Sequence, residues 1–482
     1  MAIFRSLRAL AALVVGCAGL AASAGAAQAG GGVLPVAVEA LLARAQVPPG
    51  ALSVLVQPVE GGARARLAWR EGEAANPASV MKLVTTAAAL ELLGPAFTWQ
   101  TPVYLDAQPT GGVLRGNVYL RGQGDPTLVV ERLWLLLRRL RAQGVETIEG
   151  DIVLDRSAFV LPARDAAQFD GEPWRPYNAA PDALLLNYKA LTLTLVPDRA
   201  AGVARVTAEP PLAGVQLPAS VPLAPAGSGC GDWRAGLRAD FSQVQRVALA
   251  GHYPMACGER QWRVALADPE GYAARAIEGL WRELGGRLAG RVRAGAVPAD
   301  LKPAFAAESP ALAEVVRDIN KYSNNVMTQQ LFLTLGLQRA GEGSLDAARA
   351  VLARWWADRV GAQEPLVVDN GAGLSRDARV SARALARLLQ QMWASPVMPE
   401  LMASLPIAGV DGTLRRRQGL AATGFAHLKT GSLRDVAAIA GYVQGASGRR
   451  YVFVAIVNHA NAGAARPALD ALVDWTHDDL MR

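Results

Sequence analysis

A serine and a lysine three residues apart, Ser79 and Lys82, are the residues of this chain best suited to chemistry. A serine hydroxyl is a weak nucleophile until a base removes its proton, and a lysine amine can be that base when apolar surroundings or nearby positive charge lower its pKa. Asn76 and Pro77 are typical of a helix start, and the apolar run that follows continues to Gly94. The spacing predicts that both side chains share one face of the first helical turn.

Two later motifs carry polar groups that the same chemistry could use. Ser323 and Asn325 stand at a turn between two predicted helices, and Lys429-Thr430-Gly431-Ser432 lies on a predicted strand. Alone, the first would be read as a helix cap and the second as an ordinary strand with solvated polar groups. All three motifs in this order, on a helix, a turn and a strand, predict one catalytic site with a serine nucleophile.

Lysine is rare in this chain, which has five lysines and 44 arginines. Arginine cannot give up its proton in a protein, whereas lysine can. The remaining lysines therefore call for a chemical explanation, and three of them, Lys82, Lys321 and Lys429, lie in or beside the three motifs.

The composition argues against several classes of function. The 482 residues are 51% hydrophobic and 19% charged with a formal net charge of +7, which fits a folded protein of two or three domains. The basic residues form no dense run and do not alternate with aromatic residues, so we expect no nucleic-acid binding. The four histidines are scattered and no metal-ligand spacing occurs, so we expect no metal and no cofactor.

The first 29 residues have the pattern of a secretory signal. Arg5 and Arg8 precede an apolar stretch, and Ala27-Gln28-Ala29 forms an A-x-A cleavage site. We therefore expect an exported, periplasmic protein with at most peripheral membrane contact. Cys17 lies in a loose lipobox, so a lipoprotein anchored through Cys17 is a minor alternative.

Removal of this signal leaves two cysteines, Cys230 and Cys257. Two cysteines in an exported protein predict a disulfide, and the alternative is a pair of free buried thiols.

The order of predicted elements indicates a catalytic domain split by an insertion. Short strands at 51–56 and 64–69 precede the Ser79 helix, helices follow at 309–322, 325–335, 345–359 and 381–394, and a meander of strands at 427–434, 437–444 and 450–458 leads to a closing helix at 464–482. Residues 99–300 read as mostly β, with helices near 128–144 and 269–285. We therefore assign 30–98 plus 301–482 to one domain and 99–300 to an inserted region of two small β-rich lobes.

The three motifs together resemble those of the serine penicillin-recognising enzymes. Further stretches resemble one branch of that group, the D-alanyl-D-alanine carboxypeptidase/endopeptidases, which are the class C, type-4 penicillin-binding proteins. These stretches are Gly122-Gln123-Gly124-Asp125-Pro126-Thr127-Leu128, Pro176-Tyr177-Asn178-Ala179, Asp369-Asn370-Gly371-Ala372-Gly373-Leu374-Ser375 and Asp411-Gly412-Thr413-Leu414. The resemblance implies an α+β fold, with a β-lactamase/transpeptidase-like antiparallel sheet that has helices on both sides and carries the large insertion.

The resemblance also implies roles for the motif residues. Ser79 attacks the carbonyl of a D-Ala-D-Ala bond, or of a D-Ala–diaminopimelate cross-link, and Lys82 takes its proton. Ser323, held near Lys429, passes a proton to the leaving amine, and Asn325 holds the peptide amide of the substrate. The expected partners are the peptide stems of peptidoglycan, with β-lactam antibiotics as covalent inhibitors.

Other positions are implied as substrate contacts. Thr430, Gly431 and Ser432 lie at the terminal carboxylate, helped by the charge of Lys429, and the backbone amides of Ser79 and Ser432 form the oxyanion hole. Arg376 contacts the substrate in this interpretation.

A role for Asp170 or Glu172 at a diaminopimelate amine is a further expectation. Two alternatives stay open: a β-lactamase, which would share the motifs, and a non-catalytic peptidoglycan-binding protein.

Overall fold

The computed structural model describes residues 32–480, so the predicted signal segment with Cys17 lies outside the described residues. The helices of this part are α1 Val36–Arg44, α2 Lys82–Leu93, α3 Val130–Ala142, α4 Trp233–Gly236, α5 Tyr272–Glu283, α6 Leu312–Tyr322, α7 Asn325–Ala340, α8 Leu345–Trp356, α9 Ala382–Trp393, α10 Met398–Ser404 and α11 Arg466–His477. The strands are β1 Leu52–Pro58, β2 Leu67–Trp69, β3 Ala74–Ala75, β4 Gln100–Leu105, β5 Val113–Leu114, β6 Val118–Arg121, β7 Thr147–Ile148, β8 Ile152–Asp155, β9 Ala190–Asp198, β10 Val203–Glu209, β11 Ser220–Pro222, β12 Ala239–Gln243, β13 Arg246–Leu249, β14 Arg260–Ala265, β15 Arg287–Leu288, β16 Val292–Ala294, β17 Pro303–Glu308, β18 Leu366–Val367, β19 Arg379–Ser381, β20 Ala426–Leu433, β21 Val436–Gln444 and β22 Arg450–Asn458.

Strands from the two ends of the chain form one antiparallel sheet, in the order β2-β1-β22-β21-β20. The strand β22 pairs along its length with both β1 and β21. The meander predicted near the end of the chain is present, with strand ends that differ from the predicted ones by at most one residue. The sheet therefore has the N-terminal strands at one side and β20, the strand that carries Lys429, at the opposite edge.

Helices cover both faces of this sheet. On β22, Phe453 and Val457 pack with α1 and α11, while Val454 and Ile456 pack with α2, α6, α7, α8 and α9. Successive side chains of a strand point to opposite faces, so a strand with two buried faces is apolar throughout. This arrangement confirms the predicted fold class, an antiparallel sheet between two layers of helices.

The inserted region leaves through β4 and returns through β17, which pair with each other as antiparallel neighbours. It contains a mixed sheet in the order β16-β8-β6-β4-β17 and a second sheet in the order β11-β10-β9-β14. Buried side chains of both sheets, of α3 and of α5 form one continuous apolar core, to which Leu137, Leu193 and Trp281 belong. The returning strand ends at Glu308, and α6 follows directly.

Cys230 and Cys257 are joined by a disulfide in the second part of the inserted region, with Cα atoms 4.7 Å apart. Within the loop that they close, the rings of Trp233 and Tyr253 form an edge-on aromatic pair. The loop that this cross-link closes contains the short helix α4 and the antiparallel strands β12 and β13.

Helix α7 of the catalytic part forms hydrogen bonds with the inserted region. Thr334 accepts a hydrogen bond from the indole of Trp99 at 3.0 Å. One helical turn earlier, the amide side chain of Gln330 accepts from the backbone of Asp182 at 2.9 Å and donates to it at 2.8 Å. Because α7 begins at Asn325, the helix that carries one motif also fixes the inserted region beside it.

Candidate active site

The turn that carries Ser79 is not the first turn of an α-helix, contrary to the sequence prediction. A 3₁₀ turn, Ala78–Met81, precedes α2, and Pro77 lies outside the helix. The backbone of Ala78 has a φ of 47°, in the left-handed region that an α-helix cannot contain. The buried side chain of Asn76 stabilises this turn, because its oxygen accepts a hydrogen bond from the amide of Ala78 at 2.9 Å. The tightened turn presents the Ser79 hydroxyl at the end of the helix.

The amine of Lys82 is completely buried and touches the Ser79 hydroxyl. Its Nζ lies 3.0 Å from Ser79 Oγ, and it donates to Asn325 Oδ1 at 2.7 Å and to the carbonyl of Ala372 at 2.6 Å. Burial, together with the nearby charge of Lys429, holds the pKa of Lys82 well below its usual value. A lysine with such a pKa can be neutral and accept the serine proton.

Lys429 is equally buried and serves the second motif. Its Nζ donates to Ser323 Oγ at 2.9 Å and to the carbonyl of Thr430 at 2.8 Å, and burial lowers the pKa of Lys429 to about 7. Ser323 ends α6 in the left-handed region with a φ of 56°, and Asn324 then caps α7 because its side-chain oxygen accepts a hydrogen bond from the amide of Met327. This sharp turn between two helices points Ser323 at Lys429.

The strand β20 passes directly beside the Ser79 turn, and a glycine makes this approach possible. A Cβ atom placed on Gly431 would lie 2.5 Å from the carbonyl oxygen of Pro77 and 3.2 Å from the amide nitrogen of Ser79. Any side chain at this position would force the strand away. The next residue, Ser432, is therefore carried to the rim of the site, where Arg466 lies 3.4 Å from its hydroxyl.

Three residues to which the sequence assigned no role support the strand β20. Thr413 shares a hydrogen bond of 2.8 Å with the hydroxyl of Thr430. The turn before Thr413 is fixed by Asp411, which pairs with the buried amine of Lys321 at 2.6 Å. Lys321 also donates to the carbonyl of Leu405 at 2.6 Å. The rarity of lysine and the Asp411–Leu414 stretch were the available signals, but neither tells which residues meet in space.

A cleft of about 1350 Å³ opens on these motifs. Its lining includes the motif residues Ser79, Ser323, Asn325 and Ser432. Thus the structure brings the three separate motifs to one cavity, with the two lysine amines buried behind it.

Arg376 and Asp170, two of the residues considered for substrate contact, also line this cleft. Arg376 pairs with Asp435 at 2.9 Å and lies over the ring of Phe169 at 4.8 Å. Burial would raise the pKa of Asp170, but hydrogen bonds from Tyr177 and Asn178 lower it below its usual value, so this carboxylate stays charged.

Glu172 is placed differently from Asp170. Its carboxylate lies 3.4 Å from Arg175, both side chains are more than half exposed, and Glu172 is not part of the cleft lining. Of the two acidic residues considered for a diaminopimelate amine, the structure brings Asp170 to the cleft.

Residues 32–480 contain no group of three or more His, Cys, Asp or Glu side chains that could hold a metal ion. Within the same residues, no helix is both long and apolar enough to cross a membrane.

A serine hydroxyl in contact with a buried lysine, beside a second serine–lysine pair and a lysine-bearing edge strand, defines a serine enzyme of the penicillin-recognising class. The family model of the D-Ala-D-Ala carboxypeptidase 3 (S13) family matches residues 34–479. The chain therefore belongs to this family and is a serine peptidase of the D-Ala-D-Ala carboxypeptidase type.

Individual relatives agree with this assignment. The chain is 32% identical over 418 residues to a D-alanyl-D-alanine carboxypeptidase of Actinomadura sp. (strain R39), covering 82% of this chain and 75% of the relative. It is 27% identical over 402 residues to the D-alanyl-D-alanine carboxypeptidase DacB of Haemophilus influenzae, covering 80% and 81%.

Solved structures show the same fold. The crystal structure of penicillin binding protein 4 (dacB) from Haemophilus influenzae superposes with a TM-score of 0.72 at 23% identity, covering 91% of this chain and all of that chain. A predatory endopeptidase from Bdellovibrio bacteriovorus, in complex with an immunity protein, gives a TM-score of 0.50 at 16% identity, covering 87% and 91%.

Proposed function

We propose that this DD-peptidase acts on peptidoglycan in the periplasm, where it removes terminal D-Ala from peptide stems and cleaves D-Ala–diaminopimelate cross-links through an acyl-enzyme on Ser79. The observation that carries the proposal is the 3.0 Å contact between the Ser79 hydroxyl and the buried Lys82 amine. The relatives named as D-alanyl-D-alanine carboxypeptidases and the neighbour named as an endopeptidase support both activities. The signal pattern of residues 1–29 supports export.

Acylation begins when Ser79 Oγ attacks the carbonyl carbon of the D-Ala that precedes the scissile bond. The hydroxyl proton passes to Lys82 Nζ, and the backbone amides of Ser79 and Ser432 stabilise the oxyanion. The carbon–nitrogen bond then breaks as Ser323 gives its proton to the leaving amine. Ser323 regains a proton from Lys429, with which it is already hydrogen-bonded at 2.9 Å.

Water completes the reaction by attacking the ester carbonyl. The water hydroxyl adds to the carbonyl carbon, and its proton restores Lys429 through Ser323. The ester carbon–oxygen bond breaks, and Ser79 recovers the proton that Lys82 held. The net change is the hydrolysis of one peptide bond, and both lysines return to their starting protonation states.

The carboxylate of the leaving residue is placed by the strand β20. The hydroxyls of Thr430 and Ser432, which are two residues apart and so share one face of the strand, would bind this carboxylate. Ser432 lines the cleft, and the buried amine of Lys429 donates to the carbonyl of Thr430 at 2.8 Å. Asn325 accepts from Lys82 through Oδ1 and so keeps its amide NH₂ group for the substrate. The leaving residue carries such a carboxylate both when it is a terminal D-Ala and when it is the D-amino-acid end of a cross-link. One site therefore serves the carboxypeptidase and the endopeptidase activity.

β-Lactam antibiotics would acylate the same serine, because their amide and carboxylate imitate D-Ala-D-Ala. A neighbouring structure of penicillin binding protein 4 is a complex with a β-lactam, and a Bdellovibrio endopeptidase structure is acylated by penicillin G. After ring opening the leaving amine stays tethered and blocks water. The adduct should therefore persist, which separates this function from that of a β-lactamase.

The test is intact-mass measurement after exposure to benzylpenicillin, followed by digestion of purified muropeptides. We expect one penicilloyl group on the peptide that contains Ser79, its loss in Ser79→Ala, and its retention in Ser242→Ala, a serine on an exposed strand of the inserted region. An adduct on another peptide would overturn the assignment. Rapid release with net antibiotic hydrolysis would indicate a β-lactamase, and muropeptides left intact would indicate a binding protein.

A further inference from the structure

Two consecutive carbonyl groups of the segment 369–375 are hydrogen-bonded to side chains of helix α2. The carbonyl of Gly371 accepts from the hydroxyl of Thr85 at 2.8 Å, and the carbonyl of Ala372 accepts from Lys82 Nζ at 2.6 Å. Lys82 and Thr85 are three residues apart, so they lie on one face of this helix, and both are completely buried. Thr85 therefore holds the residue next to the one that contacts the Lys82 amine.

The three oxygens around the Lys82 amine differ in what they can do. Asn325 Oδ1, at 2.7 Å, and the carbonyl of Ala372 can only accept hydrogen bonds, whereas the hydroxyl of Ser79, at 3.0 Å, can also donate. A protonated amine donates to all three oxygens. A neutral amine keeps two N–H groups and one lone pair, so its N–H groups go to the two oxygens that only accept. The lone pair is then directed at the Ser79 hydroxyl, as proton transfer requires.

The backbone around Ala372 is fixed from two sides. The amide of Ala372 donates to Asn370 Oδ1 at 3.1 Å. Gly373 has a φ of 73°, in the left-handed region, and a Cβ atom placed on it would lie 1.9 Å from the carbonyl oxygen of Ala78. The segment 369–375 is therefore packed directly against the turn that presents the nucleophile.

Thr85 differs from the neighbouring threonine in the group to which its hydroxyl donates. A threonine inside a helix commonly donates to the carbonyl four residues earlier, as Thr86 does to the carbonyl of Lys82 at 2.7 Å. Thr85 instead donates out of its helix to Gly371. Its hydroxyl therefore links α2 to the segment that supplies a hydrogen-bond acceptor for the Lys82 amine.

We propose that Thr85 is a positioning residue that directs the base at the nucleophile. By fixing the carbonyl of Gly371, it keeps the carbonyl of Ala372 against the amine of Lys82, and the lone pair of the neutral amine is left facing the serine. This inference rests on the proposed function, because it takes Lys82 as the base for Ser79.

The test is the pH profile of benzylpenicillin acylation in Thr85→Val, which keeps the approximate volume and removes the donor. We expect the maximal acylation rate to fall about five- to tenfold, the effect of one buried hydrogen bond. The limb that rises as Lys82 loses its proton should move to lower pH, because a loosened Ala372 carbonyl stabilises the protonated amine less. A purely structural role of Thr85 would lower the rate without moving this limb.

The other groups that face Lys82 keep their places in this variant. Burial and the charge of Lys429 on β20 lower the pKa of Lys82, and α7 contributes the neutral side chain of Asn325. Asp369, at the start of the segment that contacts Lys82, pairs with Arg349 at 3.0 Å. The limb that falls above about pH 7 belongs to Lys429, so it should not move and serves as an internal reference.

Thr85→Ser keeps the hydroxyl and should keep the wild-type profile. The matched control is Thr334→Val, because Thr334 is also completely buried on a helix and its hydroxyl bonds to a distant residue, Trp99, at 3.0 Å. This control should lower the melting temperature and leave the rate and both limbs unchanged. A wild-type profile in folded Thr85→Val would overturn the inference; if that variant does not fold, the same result in Thr85→Cys, whose thiol is a weak donor, would overturn it. Lack of an adduct on Ser79 of the wild type would instead contradict the proposed function.

Discussion

Replacement of Lys82 tests the assignment of the base more sharply than any other change. Two variants are needed: Lys82→Arg keeps the positive charge but cannot accept a proton, and Lys82→Met keeps the approximate volume without charge. Lys82 has no exposed surface and donates three hydrogen bonds, to Ser79, Asn325 and Ala372. Either variant therefore removes proton transfer from a site that offers no space for a replacement base.

The expected loss follows from this geometry. Removal of a positioned general base lowers the rate by about 10² to 10⁴, so the acylation rate should fall at least a hundredfold in both variants. The larger guanidinium of Lys82→Arg also overpacks a filled site and should lower the free energy of unfolding by about 1–3 kcal/mol.

The assay is the second-order rate of benzylpenicillin acylation, read by intact mass, with urea unfolding measured in parallel. Lys189→Arg is the matched control, because Lys189 is also buried but pairs with Asp182 in the inserted region at 3.0 Å. This control should share the loss of stability and keep an acylation rate within tenfold of the wild type. Acylation of Lys82→Met within tenfold of the wild type would refute the assignment of Lys82 as the proton acceptor.

Three further predictions concern pH, the strand β20 and the disulfide. The acylation rate should rise with pH as Lys82 loses its proton, because only the neutral amine can act as the base. It should fall again above about pH 7 as Lys429 loses its charge, since burial lowers the pKa of Lys429 to about 7. An acylation rate that stays constant from about pH 5 to 9 would contradict both roles. Thr413→Val removes the hydrogen bond to the Thr430 hydroxyl and should raise KM for D-Ala-D-Ala peptides about fivefold, whereas Thr413→Ser keeps that bond and should keep the KM of the wild type. Equal KM values in both variants would show that Thr413 does not position Thr430. The double variant Cys230→Ser, Cys257→Ser should lose about 3 kcal/mol of the free energy of unfolding, measured in urea. Its acylation rate should not change, because neither cysteine lines the cleft. A lower acylation rate in the folded variant would contradict this separation of the disulfide from the active site.

Much of the secondary structure could be predicted because local patterns determine it. The strands of the final meander and the helices around the Ser323 turn follow from apolar periodicity, which reports which faces are buried. Element ends were less exact: the helix predicted to end at residue 335 continues to Ala340, and the one predicted from 309 begins at Leu312. Such ends depend on capping contacts with distant parts of the chain.

The turn before Ser79 shows where local patterns fail. Asn76 and Pro77 are ordinary helix-start residues, and the sequence gives no sign that Ala78 takes a left-handed conformation. Distant residues stabilise that conformation through Asn76. The backbone amide of Asn76 donates to Asn458 Oδ1 at 2.7 Å, and the side chain of Asn76 donates to the carbonyl of Ser375 at 2.9 Å. Contacts made by residues hundreds of positions away determine this backbone.

The sequence by itself determined the chemical identity of the site: the three motifs in order, and a shortage of lysine that marked Lys82 and Lys429. Residue type is local information, and a buried lysine, unlike an arginine, can exchange a proton near neutral pH. The tertiary structure decided the rest, including the contact of Asn325 with Lys82 and the support of Thr430 by Thr413. Each of these contacts joins segments that are far apart in the sequence, so it depends on how the sheet, α7 and the inserted region pack together.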